Sequence, residues 1–236
     1  MANAVILVAG GRITDVGQGL PVPPGGRVID LSRSTVLPGL IDAHTHLTLS
    51  PGPAAEASRK SHVDATIMAP LHAKRTLEAG FTTVRELGAP EFVDVALRNA
   101  INRGDIPGPR IVAATMAISA TGGHGDQERA IAVRSLRRTF RNRRWGRRDS
   151  QEGPVPGQVW ADVIKVMATA GALSEEESVD AALYTQAELD AVVDEARLWG
   201  RRVAAHAHGA EGSSARCEPG WRRSITAPFS TRKGPG

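Results

Sequence analysis

The sequence predicts an α/β protein in which parallel strands alternate with helices. From Thr35 onward, apolar and β-branched runs of strand length recur along the chain. Between these runs, apolar residues return every three or four positions, as they do on one face of a helix. Such alternation implies a parallel sheet with right-handed crossovers, and either an open doubly wound sheet or a barrel would fit it.

The predicted elements follow in a regular order. A small β unit is expected over residues 1–35, where apolar runs such as Ala4–Ala9 and residues 27–31 are separated by glycine and proline turns. Five strands then follow, at residues 36–46, 81–84, 111–114, 163–167 and 203–206. One helix is expected to end at Gly80. Two more are marked by helically spaced apolar sets: Val93, Leu97, Ala100 and Ile101, then Leu189, Val192, Val193 and Ala196.

Composition and cysteine content limit the compartment. The chain has 236 residues, of which 41% are hydrophobic, but no apolar run is long enough to cross a bilayer. The apolar segment near the start is too short for a secretory signal. The single cysteine, Cys217, excludes an internal disulfide and fits a reducing compartment. We therefore expect a cytoplasmic protein with no membrane partner.

The net charge of +4 arises from two basic segments. Residues 134–148 hold eight of the 29 basic side chains and residues 213–236 hold five more, whereas the rest of the chain has 16 basic and 24 acidic residues. A nucleic-acid-binding role for the first segment is one interpretation. However, Phe140 and Trp145 are its only aromatic residues and it fits no known binding module. We expect no nucleic-acid partner.

Two histidines close the first strand of the alternating region. His44 and His46 are two residues apart, so their side chains point to the same side of the strand. Two neutral imidazoles on one face can share a metal ion. The structural alternative is one core histidine and one surface histidine, and the position at the end of a βα strand favours metal ligation.

Lys165 lies inside the apolar strand at residues 163–167, where an ammonium would be costly to bury. It could extend its amine to solvent from the strand end, or pair with Asp162. It could instead react with carbon dioxide and become a carbamate, which is able to bridge two cations. His206 and His208 repeat the His-x-His pattern after the fifth strand. All these groups are expected at the carboxyl ends of parallel strands, where βα barrels assemble their sites.

The chain resembles the amidohydrolase superfamily, and most closely its Xaa-Pro dipeptidase (prolidase) and imidazolonepropionase-like branch. The resemblance covers about residues 1–133 and 158–211. It rests on five motifs: VLPGLIDAHTHL at 36–47, GFTTVR at 80–85, ATGGHG at 120–125, ADVIKVM at 161–167 and VAAHAHG at 203–209.

The resemblance implies a (β/α)8 TIM-type barrel with a small β-sandwich, to which residues 1–35 would belong. It further implies that His44 and His46 bind the inner metal, that carboxylated Lys165 bridges both ions and that His206 binds the outer one. The two divalent ions are expected to be zinc, and the reaction is hydrolysis of an amide C–N bond in a small-molecule substrate by a metal-activated water. His124 and His208 would contact that substrate, although His124 is equally explained as a solvated loop residue.

The sequence departs from the family pattern in two stretches. Residues 137–157 and 212–236 lack helical or strand periodicity, and we expect both to be irregular. The sequence therefore predicts a partial barrel domain at 36–211, with five of eight strands, and a non-family tail at 212–236. A reading-frame slip after residue 211 is one hypothesis, and translation of the other frames would test it.

The histidine of strand six and the proton-shuttling aspartate that follows strand eight in the family are not found, so no catalytic residue is named. An inactive metal-binding remnant that assembles with itself is therefore the alternative to an active enzyme.

Overall fold

The computed structural model describes residues 2–49, 61–120, 123–125, 161–171 and 181–208. The chain divides into two compact units, Met1–Pro38 and Gly39–Gly236. The sequence-based boundary between the small β unit and the larger domain falls between residues 35 and 36. The predicted irregular segments at 137–157 and 212–236 lie outside the described residues. Within those residues, no helix is both long and apolar enough to cross a membrane.

The first unit contains an antiparallel hairpin. Strand β1, Ala4–Ala9, pairs with β2, Arg12–Gln18, through a turn at Gly10 and Gly11, with an irregular register between Leu7 and Val8. Ala4–Ala9 is a strand as predicted. Residues 27–31 form no strand, because the segment follows a proline- and glycine-rich stretch and then turns at once, with the Asp30 carboxylate accepting the Ser32 N–H at 2.9 Å.

The second unit alternates strands and helices. Its elements, in chain order, are β3 (Leu40–Thr45), α1 (His62–Glu78), β4 (Phe81–Glu86), a 3₁₀ turn (Pro90–Phe92), α2 (Val93–Arg103), β5 (Arg110–Ala113), β6 (Val163–Met167), α3 (Gln186–Leu198) and β7 (Arg202–His206). All five strands and all three helices that the sequence predicted for this region are present.

The strands of this unit are parallel. β3, β4 and β5 form one sheet in that order, and β6 pairs with β7 in register from Val163–Arg202 to Met167–His206. The segment after β5 connects the two sheets, since Ile118 donates its N–H to the Lys165 carbonyl at 2.8 Å and accepts the Met167 N–H at 2.9 Å. The α/β class with parallel strands is confirmed, but the described strands do not close a barrel.

Local sequence signals determine where the helices begin and end. Ser61 caps α1 and Thr185 caps α3, each in a reciprocal capping box with an acid three residues later. After α1, Gly80 adopts φ +95°, the left-handed conformation that glycine tolerates without strain. The helices thus stop close to the starts of the strands that follow them.

Apolar packing holds the helices against the strands. One buried cluster joins α1 and α2 to β4 and β5 around Ala73, Val84, Leu97 and Ile111. A second cluster packs Leu189 and Val193 of α3 against β6 and β7. A third, formed by Leu87, Ala114, Val163 and Ala204, connects the two groups of strands. This packing fixes the strand ends from which the candidate site projects.

Candidate active site at the carboxyl ends of the strands

The sheet register brings the predicted site residues to one edge. Thr45 at the end of β3 pairs with Glu86 at the end of β4, which pairs with Ala113 at the end of β5. On the other pair of strands, Met167 is opposite His206. Each predicted metal-binding residue therefore lies at or within three residues of the carboxyl end of its strand.

His44 and His46 form a close imidazole pair. Their Nε2 atoms are 3.2 Å apart and their ring centroids 5.0 Å apart. Nδ1 of His46 is 3.2 Å from the Gly88 carbonyl oxygen, which can only accept a hydrogen bond. This contact therefore requires the Nδ1–H tautomer, which leaves the Nε2 lone pair toward His44.

Burial keeps these two imidazoles neutral. It lowers the pKa of His44 to about 4, with the Lys165 charge as the next cause. It also lowers the pKa of His46, and Lys165 acts there in the same direction, although the contact with Gly88 opposes the shift. Neutral imidazole is the form that ligates metals. The pair is thus ready to act as a ligand at neutral pH.

Lys165 is buried in the middle of β6. Its side chain is 1% exposed, and Nζ has no hydrogen-bond partner among the described residues. Burial, followed by the charge of Arg85, lowers the pKa of its amine to about 8. Both structural alternatives for this residue are wrong, because the amine does not reach solvent and Asp162 instead pairs with Arg98 at 2.6 Å.

Three further imidazoles cluster around β7. The ring of His206 lies 4.3 Å, centroid to centroid, from the rings of both His124 and His208. Burial, then the neighbouring imidazoles, lower the pKa of His206 to about 3, and the Lys165 charge contributes. Its Nε2 is buried without a hydrogen-bond partner among the described residues.

The loop that carries His124 is held against the end of β6. Ser119 donates its hydroxyl to the His124 carbonyl at 2.7 Å. A Cβ added to Gly171 would lie 2.5 Å from the imidazole carbon Cε1, so the ring packs against bare backbone. His124 is partly buried beside His206, which does not fit a fully solvated loop histidine.

These groups fit a divalent metal, provided that Lys165 is carboxylated. With zinc–nitrogen bonds of about 2.0–2.1 Å, an Nε2 separation of 3.2 Å corresponds to an angle of about 100° at the metal, close to tetrahedral. A bare ammonium would repel a cation, whereas a carbamate would supply an anionic oxygen ligand. Among the described residues, no three His, Cys, Asp or Glu side chains form a metal-binding group by themselves.

Sequence reasoning missed Glu86. Its side chain is fully buried at the end of β4, where Oε2 accepts the Leu47 N–H at 2.7 Å and the Thr45 hydroxyl at 3.0 Å. Oε1 lies 4.0 Å from Nδ1 of His46. Burial raises the pKa of this carboxyl to about 8, against the lowering effect of the Leu47 hydrogen bond. The signal in the sequence was an acid at the end of an apolar strand, directly before the LG dipeptide at 87–88.

These parallel strands, with imidazoles and a buried lysine at or near their carboxyl ends, define an α/β protein whose candidate site lies where the sites of βα barrels lie. The profile of the amidohydrolase family matches residues 35–233, and the chain belongs to that family. The match includes residues 137–157 and most of the stretch at 212–236, up to residue 233. Whether residues 212–236 form a non-family tail stays a prediction.

Known proteins support the same relationship. Ochratoxinase from Aspergillus niger is 28% identical over 252 residues, which cover 93% of this chain and 49% of that protein. Imidazolonepropionase from Salinispora arenicola is 43% identical over 54 residues, covering 23% of this chain and 14% of that enzyme. The crystal structure of a Xaa-Pro dipeptidase with bound methionine in its active site superposes with a TM-score of 0.72 and 37% identity, over 89% of this chain and 53% of that one. The chain thus spans about half the length of the ochratoxinase and of the Xaa-Pro dipeptidase.

Proposed function

We propose that the chain is a metal-dependent amidohydrolase that cleaves C–N bonds of small substrates such as dipeptides or N-acyl amino acids. The observation that carries this proposal is the buried amine of Lys165, which has no hydrogen-bond partner in the described part of the chain and whose charge acts on His44, His46 and His206. If Lys165 only filled space in the core, an apolar side chain could take its place without loss of stability. A lysine among neutral imidazoles has the surroundings of a ligand.

Lys165 is suited to carboxylation. With a pKa of about 8, the amine is present in part as the free base near neutral pH. The free base attacks carbon dioxide, the new N–C bond forms, and the nitrogen releases one proton to give a carbamate anion. The product places a negative charge at the position of the buried amine, and a bound cation would stabilise it.

The other residues would have separate roles. His44 and His46 would hold one metal ion through Nε2, and His206 would hold the second. When bound, the metal ions supply Lewis acidity and lower the pKa of a water molecule toward neutrality. His124 and His208, whose rings flank His206, would donate hydrogen bonds to the carbonyl or carboxylate of the substrate.

Two structural relatives support the substrate class. One is the Xaa-Pro dipeptidase with bound methionine. The other is a prolidase complexed with N-methylphosphonate-L-proline, with a TM-score of 0.70 and 28% identity over 89% of this chain and 52% of that one. Both ligands are amino acids or their derivatives. We therefore place dipeptides with a C-terminal proline or hydrophobic residue first among the substrates to test.

The proposal can be tested by metal analysis combined with a substrate panel. The chain is prepared with zinc and bicarbonate, its metal content is measured by mass spectrometry, and hydrolysis of dipeptides and N-acyl amino acids is followed by amine release. Two ions per chain together with hydrolysis would support the enzyme. One ion or none, without hydrolysis, would contradict it and support the metal-binding remnant.

A matched pair of lysine variants separates the site from general effects. Lys165→Ala should lose metal and activity together. Lys74→Ala should retain both, because Lys74 is an exposed residue of α1 that pairs with Glu78 at 3.7 Å. Carbon-13 NMR with labelled bicarbonate should show a carbamate signal in the parent chain and in Lys74→Ala. Retention of that signal in Lys165→Ala would refute the assignment to Lys165.

A further inference from the structure

We propose that Glu86 is a positioning residue that holds His46 in the orientation needed for metal binding. The inference rests on the proposed function in one respect, namely that His46 is a metal ligand. Glu86 would touch neither substrate nor metal. It would act through the Thr45 hydroxyl and the Leu47 backbone N–H, which lie on either side of His46, and through its position beside the imidazole ring.

The first support is a bracket of hydrogen bonds around His46. Oε2 of Glu86 accepts the Thr45 hydroxyl at 3.0 Å and the Leu47 N–H at 2.7 Å. Thr45 and Leu47 are the two neighbours of His46 in the chain, and Thr45 is also the register partner of Glu86 across the β3–β4 pair. One oxygen of the Glu86 carboxyl group thus holds the residues before and after His46 against the end of β4.

The second support is the surroundings of the ring. Nδ1 of His46 faces the Gly88 carbonyl at 3.2 Å and Oε1 of Glu86 at 4.0 Å. Both groups come from β4 and the two residues after it. With the Nδ1–H donated to the Gly88 carbonyl, Nε2 stays directed at Nε2 of His44. Partners of the non-ligating nitrogen commonly set the tautomer and orientation of a metal-binding histidine.

A comparison with Asp94 separates this role from simple structural support. Asp94 is also fully buried, but both of its oxygens are used by the backbone: Oδ1 accepts the Val95 N–H at 2.8 Å and Oδ2 accepts the Thr115 N–H at 2.7 Å. In Glu86, Oε1 has no hydrogen-bond partner among the described residues. Support of the β3–β4 pair needs only Oε2, so the second oxygen beside His46 is left unexplained by packing.

The test uses two pairs of substitutions, each with a conservative member. Glu86→Leu removes the bracket, whereas Glu86→Gln keeps an acceptor oxygen for Thr45 and Leu47. Thr45→Val removes one arm of the bracket without changing side-chain volume, whereas Thr45→Ser keeps the hydroxyl. Asp94→Leu is the control, since it removes a second buried carboxyl group whose hydrogen bonds go to the Val95 and Thr115 N–H groups.

Two measurements are made on each full-length variant. The first is the zinc affinity, by calorimetric titration in bicarbonate buffer. We expect it to fall by about tenfold to a hundredfold in Glu86→Leu and to a smaller extent in Thr45→Val. Glu86→Gln, Thr45→Ser and Asp94→Leu should stay close to the parent affinity. The second is the imidazole nitrogen–proton correlation spectrum of the metal-free chain, in which His46 should lose its single Nδ1–H tautomer in Glu86→Leu and Thr45→Val.

The outcomes are distinguishable. Parent-like affinity and tautomer in Glu86→Leu would overturn the positioning role, and so would an equal loss in Asp94→Leu or in Glu86→Gln. If Glu86→Leu does not fold, the Thr45 pair and Glu86→Gln decide the question. If the parent chain binds no zinc, the proposed function fails, whereas the metal-free spectra still show whether Glu86 orients His46.

Discussion

Replacement of Lys165 by methionine should stabilise the metal-free chain and abolish metal binding at the same time. The two side chains have similar length, so Lys165→Met fills the same space in β6 without the amine. Nζ of Lys165 is buried and has no hydrogen-bond partner among the described residues. The substitution therefore removes a burial penalty and breaks no hydrogen bond of the side chain.

The magnitude follows from the lowered pKa. Burial, and then the charge of Arg85, lower the pKa of Lys165 from 10.5 to about 8. At pH 7 the unfolded chain binds this proton much more tightly than the folded chain, which costs the folded state about 3 kcal/mol. Because the folded-state pKa is the lower one, the penalty is complete below about pH 8 and fades as the pH rises toward 10.5. At pH 9.5 it should be about 1 kcal/mol.

The assay is urea unfolding of both chains at pH 7 and pH 9.5, followed by circular dichroism in carbon dioxide-free buffer with EDTA. The stability advantage of Lys165→Met should shrink by about 2 kcal/mol across this range. Taking the difference between the chains cancels most of the opposing contribution of Glu86, whose raised pKa lowers stability as the pH rises. A less stable Lys165→Met chain, or an advantage that does not change with pH, would refute the reasoning.

Zinc and bicarbonate should reverse the order of stability. Ligand binding to the folded parent chain raises its unfolding free energy by mass action, whereas the variant has no group to carboxylate. Lys74→Met is the matched control, since Lys74 is exposed and its replacement should change stability by no more than about 0.5 kcal/mol. Equal stabilisation of the parent chain and Lys165→Met by zinc would show that the lysine does not take part in binding.

Three further substitutions give separable results. The metal-free parent chain should lose stability between pH 7 and pH 5, because His206 has a pKa of about 3 in the folded state and the unfolded chain takes up the proton first. In urea titrations, His206→Phe should reduce this loss of unfolding free energy by about 1–2 kcal/mol. An equal loss in the parent chain and the variant would contradict this. Gly171→Ala should push the His124 ring aside and lower kcat/KM by about tenfold to a hundredfold while metal content stays constant. Loss of metal would show that the substrate-binding role assigned to His124 is wrong. Arg98→Leu should lower the unfolding free energy by about 1–3 kcal/mol, since it removes the partner of Asp162, and unchanged stability would show that this pair contributes nothing.

The sequence predicted the elements that have strong local signals. β6 spans Val163–Met167 as expected, because all five of its residues are buried and form a continuous apolar run around Lys165. The strand Arg12–Gln18 was not predicted, since it contains polar residues and all but one of its positions are exposed. Its pairing with β1 across the Gly10-Gly11 turn determines its structure.

The candidate site was predicted only in part, because some of its contacts depend on how neighbouring strands pair. The spacing of His44 and His46 places two imidazoles on one strand face, and the structure agrees, with their Nε2 atoms 3.2 Å apart. The bracket at Glu86 depends on which residue of β4 lies beside Thr45, and that register is set by tertiary packing rather than by any local pattern. A buried acid at a strand end therefore becomes recognisable only when the neighbouring strand is placed.

The distribution of unsatisfied polar atoms supports one shared cause. Four buried side-chain atoms have no hydrogen-bond partner among the described residues: Thr48 Oγ1, Glu86 Oε1, Lys165 Nζ and His206 Nε2. Each such atom costs a folded chain about 1–3 kcal/mol, so they are rare unless a function retains them. Two of the four belong to the last residues of β4 and β7, a third belongs to the middle residue of β6, and none comes from the helices or from the described residues of the first unit. Independent packing defects would be scattered through the described residues, whereas Lys165 Nζ and His206 Nε2 belong to two predicted metal ligands and Glu86 Oε1 lies beside a third, His46.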